Sequence, residues 1–226
     1  MRPLSRIWIT RSRPGAEATA ARVRQRGFEP VVQSVLQTQP IEGARLDLTG
    51  VDALAFTSGA AIAAFAALTP RRDLAVFAVG DATAALARAA GFAQVSSAAG
   101  DAADLAAAIA AAAGQPGLVL HPGALEPAAD LVRLLGEAGV SARAVAVYHT
   151  VATALERVPD DVDAVLVHSP KAARRIAALV ADGRRASIAA FALSPAVAEP
   201  LRQAGFASLA VAPEPNEASL LNLLGD

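Results

Sequence analysis

A lone tyrosine, two serines placed to open helices and a handful of cations carry most of the chemistry this sequence can offer. Thr57-Ser58-Gly59 and His168-Ser169-Pro170 each join an apolar, strand-like run to a helical one, and Gly80–Thr83 and Ser194–Val197 do the same. Turns of this kind lie at the carboxyl ends of parallel strands, where open α/β sheets place their ligands. The first free amides of a helix together with a serine hydroxyl form an anion site. Ser58 and Ser169 read equally well as ordinary N-caps. Their recurrence at one place in both halves gives the ligand reading its weight.

Arg11 and Arg13, in Thr10-Arg11-Ser12-Arg13-Pro14, could fork onto a carboxylate or phosphate, or stand solvated on a loop. Lys171 opens a helix, where a cation opposes the dipole unless an anion, a helix neighbour or solvent offsets it. His168 ends a buried strand and could equally hydrogen-bond within the core. Tyr148 is a proton or hydrogen-bond donor and a poor base at neutral pH, or else an anchor between halves. Asp52 and Asp163 precede strands and read as turn residues. The chain has no cysteine, so no disulfide, thiolate nucleophile or zinc ribbon. His121, His149 and His168 are too dispersed for an HExxH-type pair, and no metal site is expected. No GxGxxG, GxxxxGK[ST] or GxSxG occurs, which weighs against dinucleotide, nucleoside triphosphate and hydrolase-elbow chemistry.

The elements that must position these residues follow from pattern. Of 226 residues, 54% are hydrophobic and 18% charged, which excludes disorder, and much of the apolar count is alanine. Net charge is −1 with a pI near 6.3, which argues against nucleic acid as main partner. No export signal and no spanning window is present, so a soluble cytoplasmic protein is expected, with no membrane partner. Strands are predicted over 5–10, 31–36, 52–57, 74–79, 94–97, 117–121, 143–149, 163–168, 187–193 and 208–212. Helices are predicted over 15–26, 59–68, 82–90, 102–113, 127–138, 171–181, 196–204 and 217–224. The alternation is that of βαβ units on parallel sheets. Gly27, Gly91, Gly139 and Gly205 mark helix ends.

The chain also repeats itself. Val51-Asp52-Ala53 returns as Val162-Asp163-Ala164, and the run from Phe77 to Ala84 returns from Phe191 to Ala198. The segment from Ile7 to Val35 parallels that from Leu118 to Val147. Two copies of one α/β unit, and two similar domains around a ligand cleft, are therefore expected.

In order along the chain, Ile9-Thr10-Arg11 with Pro14, Gly27 to Val32, Phe56-Thr57-Ser58 and Val79 to Ala84 resemble uroporphyrinogen-III synthases. So do Val147-Tyr148-His149-Thr150, His168-Ser169-Pro170 and Ala210-Val211-Ala212 with Pro213. The resemblance implies two Rossmann-like or flavodoxin-like parallel-sheet domains joined by a two-stranded linker. One would be discontinuous, 1–36 with 151–226, and the other would span 37–150. The crossings would fall near 35–40 and 148–153. The implied reaction cyclises hydroxymethylbilane to uroporphyrinogen III, with loss of water and inversion of ring D through a spiro intermediate. Uncatalysed closure gives the symmetric isomer I. No cofactor is implied.

By resemblance, Tyr148 would assist departure of the hydroxyl. Arg11, Ser58, Thr83 and Ser169 would meet the substrate, joined by the amides of Gly59, Gly80 and Val197. Ser194 and Lys171 would stand in where the family pattern lapses, at Ala60, Ala196 and Val197. A monomer in passing contact with the preceding deaminase is also implied. The rival readings are a two-lobed small-anion binding module without turnover and a two-lobed nucleotide-sugar transferase.

Overall fold

The structure is a computed structural model and describes residues 4–13, 15–112 and 116–225. Pro14 and the last residue of the helix predicted over 102–113 lie outside these. The chain opens with β1 (Arg6–Ile9), α1 (Gly15–Gln25), β2 (Glu29–Val32) and β3 (Leu36–Pro40). Then come β4 (Ala53–Phe56), α2 (Gly59–Leu68), β5 (Ala75–Ala78), α3 (Asp81–Ala89), β6 (Val95–Ser97) and α4 (Ala102–Ala110). The middle continues through β7 (Val119–Ala124), α5 (Leu131–Glu137), β8 (Ala142–Ala152), β9 (Ala164–Val167) and α6 (Pro170–Leu179). It ends with α7 (Asp182–Arg185), β10 (Ala189–Ala192), α8 (Pro195–Gln203), β11 (Leu209–Val211) and α9 (Glu217–Asn222).

The chain divides into two compact units, Met1–Gln37 with Val151–Asp226, and Thr38–Thr150. The first holds a sheet of order β11-β10-β9-β1-β2, the second a sheet of order β3-β8-β7-β4-β5-β6. β1 runs parallel to β2 and β9, and β10 to β9 and β11. In the second sheet β4 is parallel to β5 and β7, β5 to β6, and β7 to β8. Both faces of these strands are covered, so β4, β9 and β10 read as unbroken apolar runs and are buried at every residue. Among the described residues no helix is long and apolar enough to cross a membrane.

The predicted repeat holds at the level of register. Ala164 pairs with Ile7 and Ala189, and Ala53 with Val119 and Ala75. Leu209 meets Ala190 as Val95 meets Val76, and Pro30 meets Ile7 as Ala142 meets Val119. Taken from their far ends, the two sheets have one order, with β3 added to the second.

Alternate strand residues face opposite layers. Trp8, Val165 and Val167 pack with α6 and α8, whereas Ile7, Ile9 and Leu166 pack with α1 and α9. Leu54 and Phe56 pack with α2 and α3, whereas Ala53 and Ala55 face α4 and α5. Each predicted glycine stop takes a left-handed φ, +82° at Gly27, +97° at Gly91, +78° at Gly139 and +82° at Gly205. At each, the glycine and the residue after it return two N–H bonds to the last helical turn, as with Gly27 to Arg24 O and Phe28 to Val23 O.

Three expectations need correction. The strand read over 31–36 is two strands, because the carbonyl side of the ladder is lost between them: Trp8 Nε1 donates to Gln33 O at 2.8 Å and Ser34 Oγ to Arg11 O at 2.8 Å, while the Gln33 and Val35 N–H groups still bond Ile9 O and Thr10 O. The helix read from 127 begins at Leu131, where the Asp130 carboxylate accepts the Arg133 N–H at 3.0 Å and caps it. The short α7 carries too little apolar periodicity to have been expected.

Phe56, Phe65 and Phe92 meet ring to ring with centroids 5.8–6.2 Å apart, and Phe56 and Phe65 are fully buried. Phe56→Ala should lower the stability of the Thr38–Thr150 unit by about 3–5 kcal/mol. Urea unfolding followed by far-UV circular dichroism measures it, and a loss below about 1 kcal/mol would show a core that closes over the gap.

Candidate active site

In the Thr38–Thr150 unit, Tyr148 reaches Ser58 because of an irregularity in β8. From Val119 against Ala142 to Gly123 against Ala146 the register is regular; Ala124 then pairs with Tyr148, leaving Val147 as an extra residue. Strict alternation would send Val147 and Tyr148 to opposite faces. The bulge turns Tyr148 to the face that Val145 and Val147 already share, where it packs with the α2 side of the core. Its hydroxyl lies 3.1 Å from Ser58 Oγ, which also accepts the Ala61 N–H at 3.3 Å as N-cap of α2. Beside Tyr148 lies a recess of about 230 Å³ lined by Thr38, Gln39, Pro40, Ala60, Ala63 and Ala64.

The remaining predicted residues of this unit sit at the same strand-end turns. Gly59 opens α2 under Leu86, whose Cδ1 occupies the place a Cβ would need. Gly80 is the N-cap of α3 without a side-chain bond, and Thr83 is buried in its first turn. His121 is buried behind them with Nδ1 2.8 Å from Ala55 O, and burial pushes its pKa down against that hydrogen bond.

In the other unit Ser169 caps α6 through the Ala172 N–H at 3.2 Å, and Lys171 is the second residue of that helix. Ser194 is the N-cap of α8, and Val197 is buried in the core with its N–H on Ser194 O at 3.1 Å. Arg11 lies against Gly15, where a Cβ would stand 2.6 Å from its guanidinium. It also donates to Glu217 at 3.1 Å.

Glu217 is the residue sequence reasoning missed. It opens α9 and gathers Arg11 Nη1, Thr19 Oγ1 and His168 Nε2, the last at 3.0 Å, with Arg22 at 4.0 Å. Burial by itself would raise its pKa; bonds from His168 and Thr19 and the charges of His168 and Arg11 outweigh that and hold it at about 2. The signal available was an acid at a helix start, which a dipole explains without further partners. Among the described residues His168 Nδ1 is buried without a partner. Among the described residues no cluster of histidine, aspartate or glutamate is placed to hold a metal.

A family model described as uroporphyrinogen-III synthase HemD matches residues 17–222. Uroporphyrinogen-III synthetase from Helicobacter pylori 26695 superposes with a TM-score of 0.65 at 17% identity, covering 97% of each chain. A mutant uroporphyrinogen III synthase from the extremely thermophilic bacterium Thermus thermophilus gives a TM-score of 0.49 at 18% identity over 96% of each chain. No match was found among curated proteins.

Because the folded pKa of Glu217 lies below the usual carboxylate value of 4.5, its stabilisation is present above pH 4.5 and is lost as pH falls toward 2. Glu217→Gln should therefore cost about 2–3 kcal/mol at pH 7, and the gap from the parent protein should close between pH 4.5 and 2. Urea unfolding at stepped pH checks this; a gap independent of pH would assign the loss to packing.

Proposed function

The chain belongs to the uroporphyrinogen-III synthase family, and from that premise we propose how its residues serve the reaction. The activity is that of a cyclising lyase: hydroxymethylbilane loses water and closes to uroporphyrinogen III. What carries the residue-level reading is the meeting of Tyr148 with Ser58 at the start of α2.

Departure of hydroxide from the terminal carbon is slow without a proton, and a phenol can supply one. Tyr148 is that donor. The pyrrole-stabilised cation left behind is attacked by the substituted carbon of ring D, and the spiro intermediate reopens to the inverted ring. The substrate's carboxylates suit the positive ends of α2, α3, α6 and α8, where Ser58, Gly59, Gly80, Thr83, Ser169, Ser194 and Val197 stand. Lys171 supplies charge, and Arg11 adds N–H donors beside the Glu217 carboxylate with which it is paired. Holding a flexible chain near its closing geometry is an orientation effect that can supply about 7–11 kcal/mol. In this reading the protein acts as a cytoplasmic monomer and meets the deaminase only in passing.

The test supplies hydroxymethylbilane from porphobilinogen with a deaminase, adds this protein, oxidises the products and separates the uroporphyrin isomers. Isomer III should predominate; isomer I alone, from folded protein, would overturn the assignment. Tyr148→Phe should slow isomer III formation by about 10²-fold with the circular dichroism spectrum unchanged. Unaltered turnover would leave Tyr148 a strand residue only.

A further inference from the structure

Ser58 and Ser169 answer each other in the repeat and cap their helices alike. Their torsions are φ −156°, ψ 150° and φ −149°, ψ 152°, and each accepts the N–H three residues on, at 3.3 and 3.2 Å. Ser58 alone has a tyrosine at hydrogen-bond distance. The offset that answers Ala142 with Pro30 answers Tyr148 with Leu36, which has no hydroxyl. Capping therefore does not require the tyrosine, which the bulge in β8 brings to Ser58.

We propose that Ser58 is a positioning residue for proton transfer, its O–H donating to Tyr148 Oη so that the phenol proton is left for the departing hydroxyl. The proposal rests on Tyr148 being the proton donor. A serine hydroxyl has one proton and two lone pairs, and one lone pair of Ser58 is committed to the Ala61 N–H. If Tyr148 donated to Ser58, its only proton would be engaged and would have to be freed before transfer. With the opposite polarity the proton is free from the start. The oxygen that turns negative is also already hydrogen-bonded, through Ser58, to the first amides of α2.

The proton balance closes. Tyr148 gives H⁺ to the hydroxyl oxygen, and the carbon–oxygen bond breaks with its electron pair leaving on water. Attack by the substituted carbon of ring D forms one carbon–carbon bond, and the spiro intermediate reopens by breaking the older bond between that carbon and its methylene bridge, which restores the ring. The free α-carbon of ring D then closes onto the methylene so released, and the proton shed from that carbon as the ring regains aromaticity returns to the phenolate.

The variants that test this are Ser58→Gly, Ser58→Asp and Ser58→Thr, alone and with Tyr148→Phe, and Ser169→Gly alongside. Glycine and aspartate can both occupy an extended N-cap, but neither has a hydroxyl proton to give at neutral pH. Aspartate, the stronger cap, keeps the test open should the glycine variant fold poorly. Ser58→Gly and Ser58→Asp should lower kcat about tenfold with KM within about twofold, and Ser58→Thr should restore it. In the Tyr148→Phe background Ser58→Gly should cost nothing further, whereas the loss from Ser169→Gly should multiply with that of Tyr148→Phe. A Ser58→Gly loss that persists in full without the tyrosine hydroxyl, or that falls on KM alone, overturns the proposal. Failure of the underlying reading looks different, because Tyr148→Phe would then retain full turnover.

Discussion

Where the two parts of each sheet join, an aspartate carboxylate takes hold of the incoming strand. Asp52 Oδ2 accepts the Leu118 N–H at 2.8 Å, and Asp163 Oδ2 accepts those of Ser5 and Arg6 at 3.0 and 2.9 Å. Each aspartate stands directly before a central strand, β4 or β9, and the strand it holds, β7 or β1, comes from far along the chain. The bonds fix Ala53 against Val119 and Ala164 against Ile7. A slip of one residue would exchange the two faces of β4, turning Leu54 and Phe56 into the layer now built on Ala53 and Ala55. The same register sets the height of every strand end, and so of the helix starts that carry Ser58 and Ser169. The repeated Val-Asp-Ala thus has a mechanical reason.

The pairing also exchanges material between the two copies. β1 and β2, from the first copy, complete the sheet of β9, β10 and β11 from the second; β7 and β8, from the second, complete the sheet of β4, β5 and β6. Neither copy forms a sheet from its own strands, and the central pairs close long loops, which slows folding. The duplication also serves as a comparison within one molecule. What both copies keep, the aspartate pins, serine caps and glycine stops, is scaffold. What they do not share includes the polar side chains of the candidate site: Tyr148 answers Leu36, and His168, Arg11 and Glu217 answer Thr57, Gly123 and Ala102.

The scaffold was legible because it is written in local signals. Buried parallel strands are apolar throughout, glycines stop helices, and the repeat offset aligns one copy with the other. The site was only half legible. Ser58, Gly80, Ser169 and Ser194 follow from strand–helix turns, whereas the side to which Tyr148 points depends on a bulge opposite Gly123 and Ala124 that leaves no mark in the residue pattern. Glu217 was hidden for another reason. Its partners Arg11, Thr19 and His168 lie between 49 and 206 residues away, and only the fold makes them neighbours. The break between β2 and β3 has the same origin, since the indole of Trp8 takes the Gln33 carbonyl out of the ladder.

Selecting one ring closure over another is a difference between barriers, and each tenfold in the ratio takes about 1.4 kcal/mol. A hundredfold preference therefore needs about 2.7 kcal/mol, the net worth of two or three hydrogen bonds. Main-chain amides at helix starts are offered whatever side chain stands there, as the N-caps Gly80 and Ser194 at answering positions illustrate. What such a site must keep is the placement of its helix starts and one positioned proton. The first is a property of register, which in this chain rests on apolar strands and aspartate pins. That is the pattern of a fold held at 17% identity with a TM-score of 0.65. The second is local to β8 and α2, where the bulge brings the Tyr148 hydroxyl to Ser58.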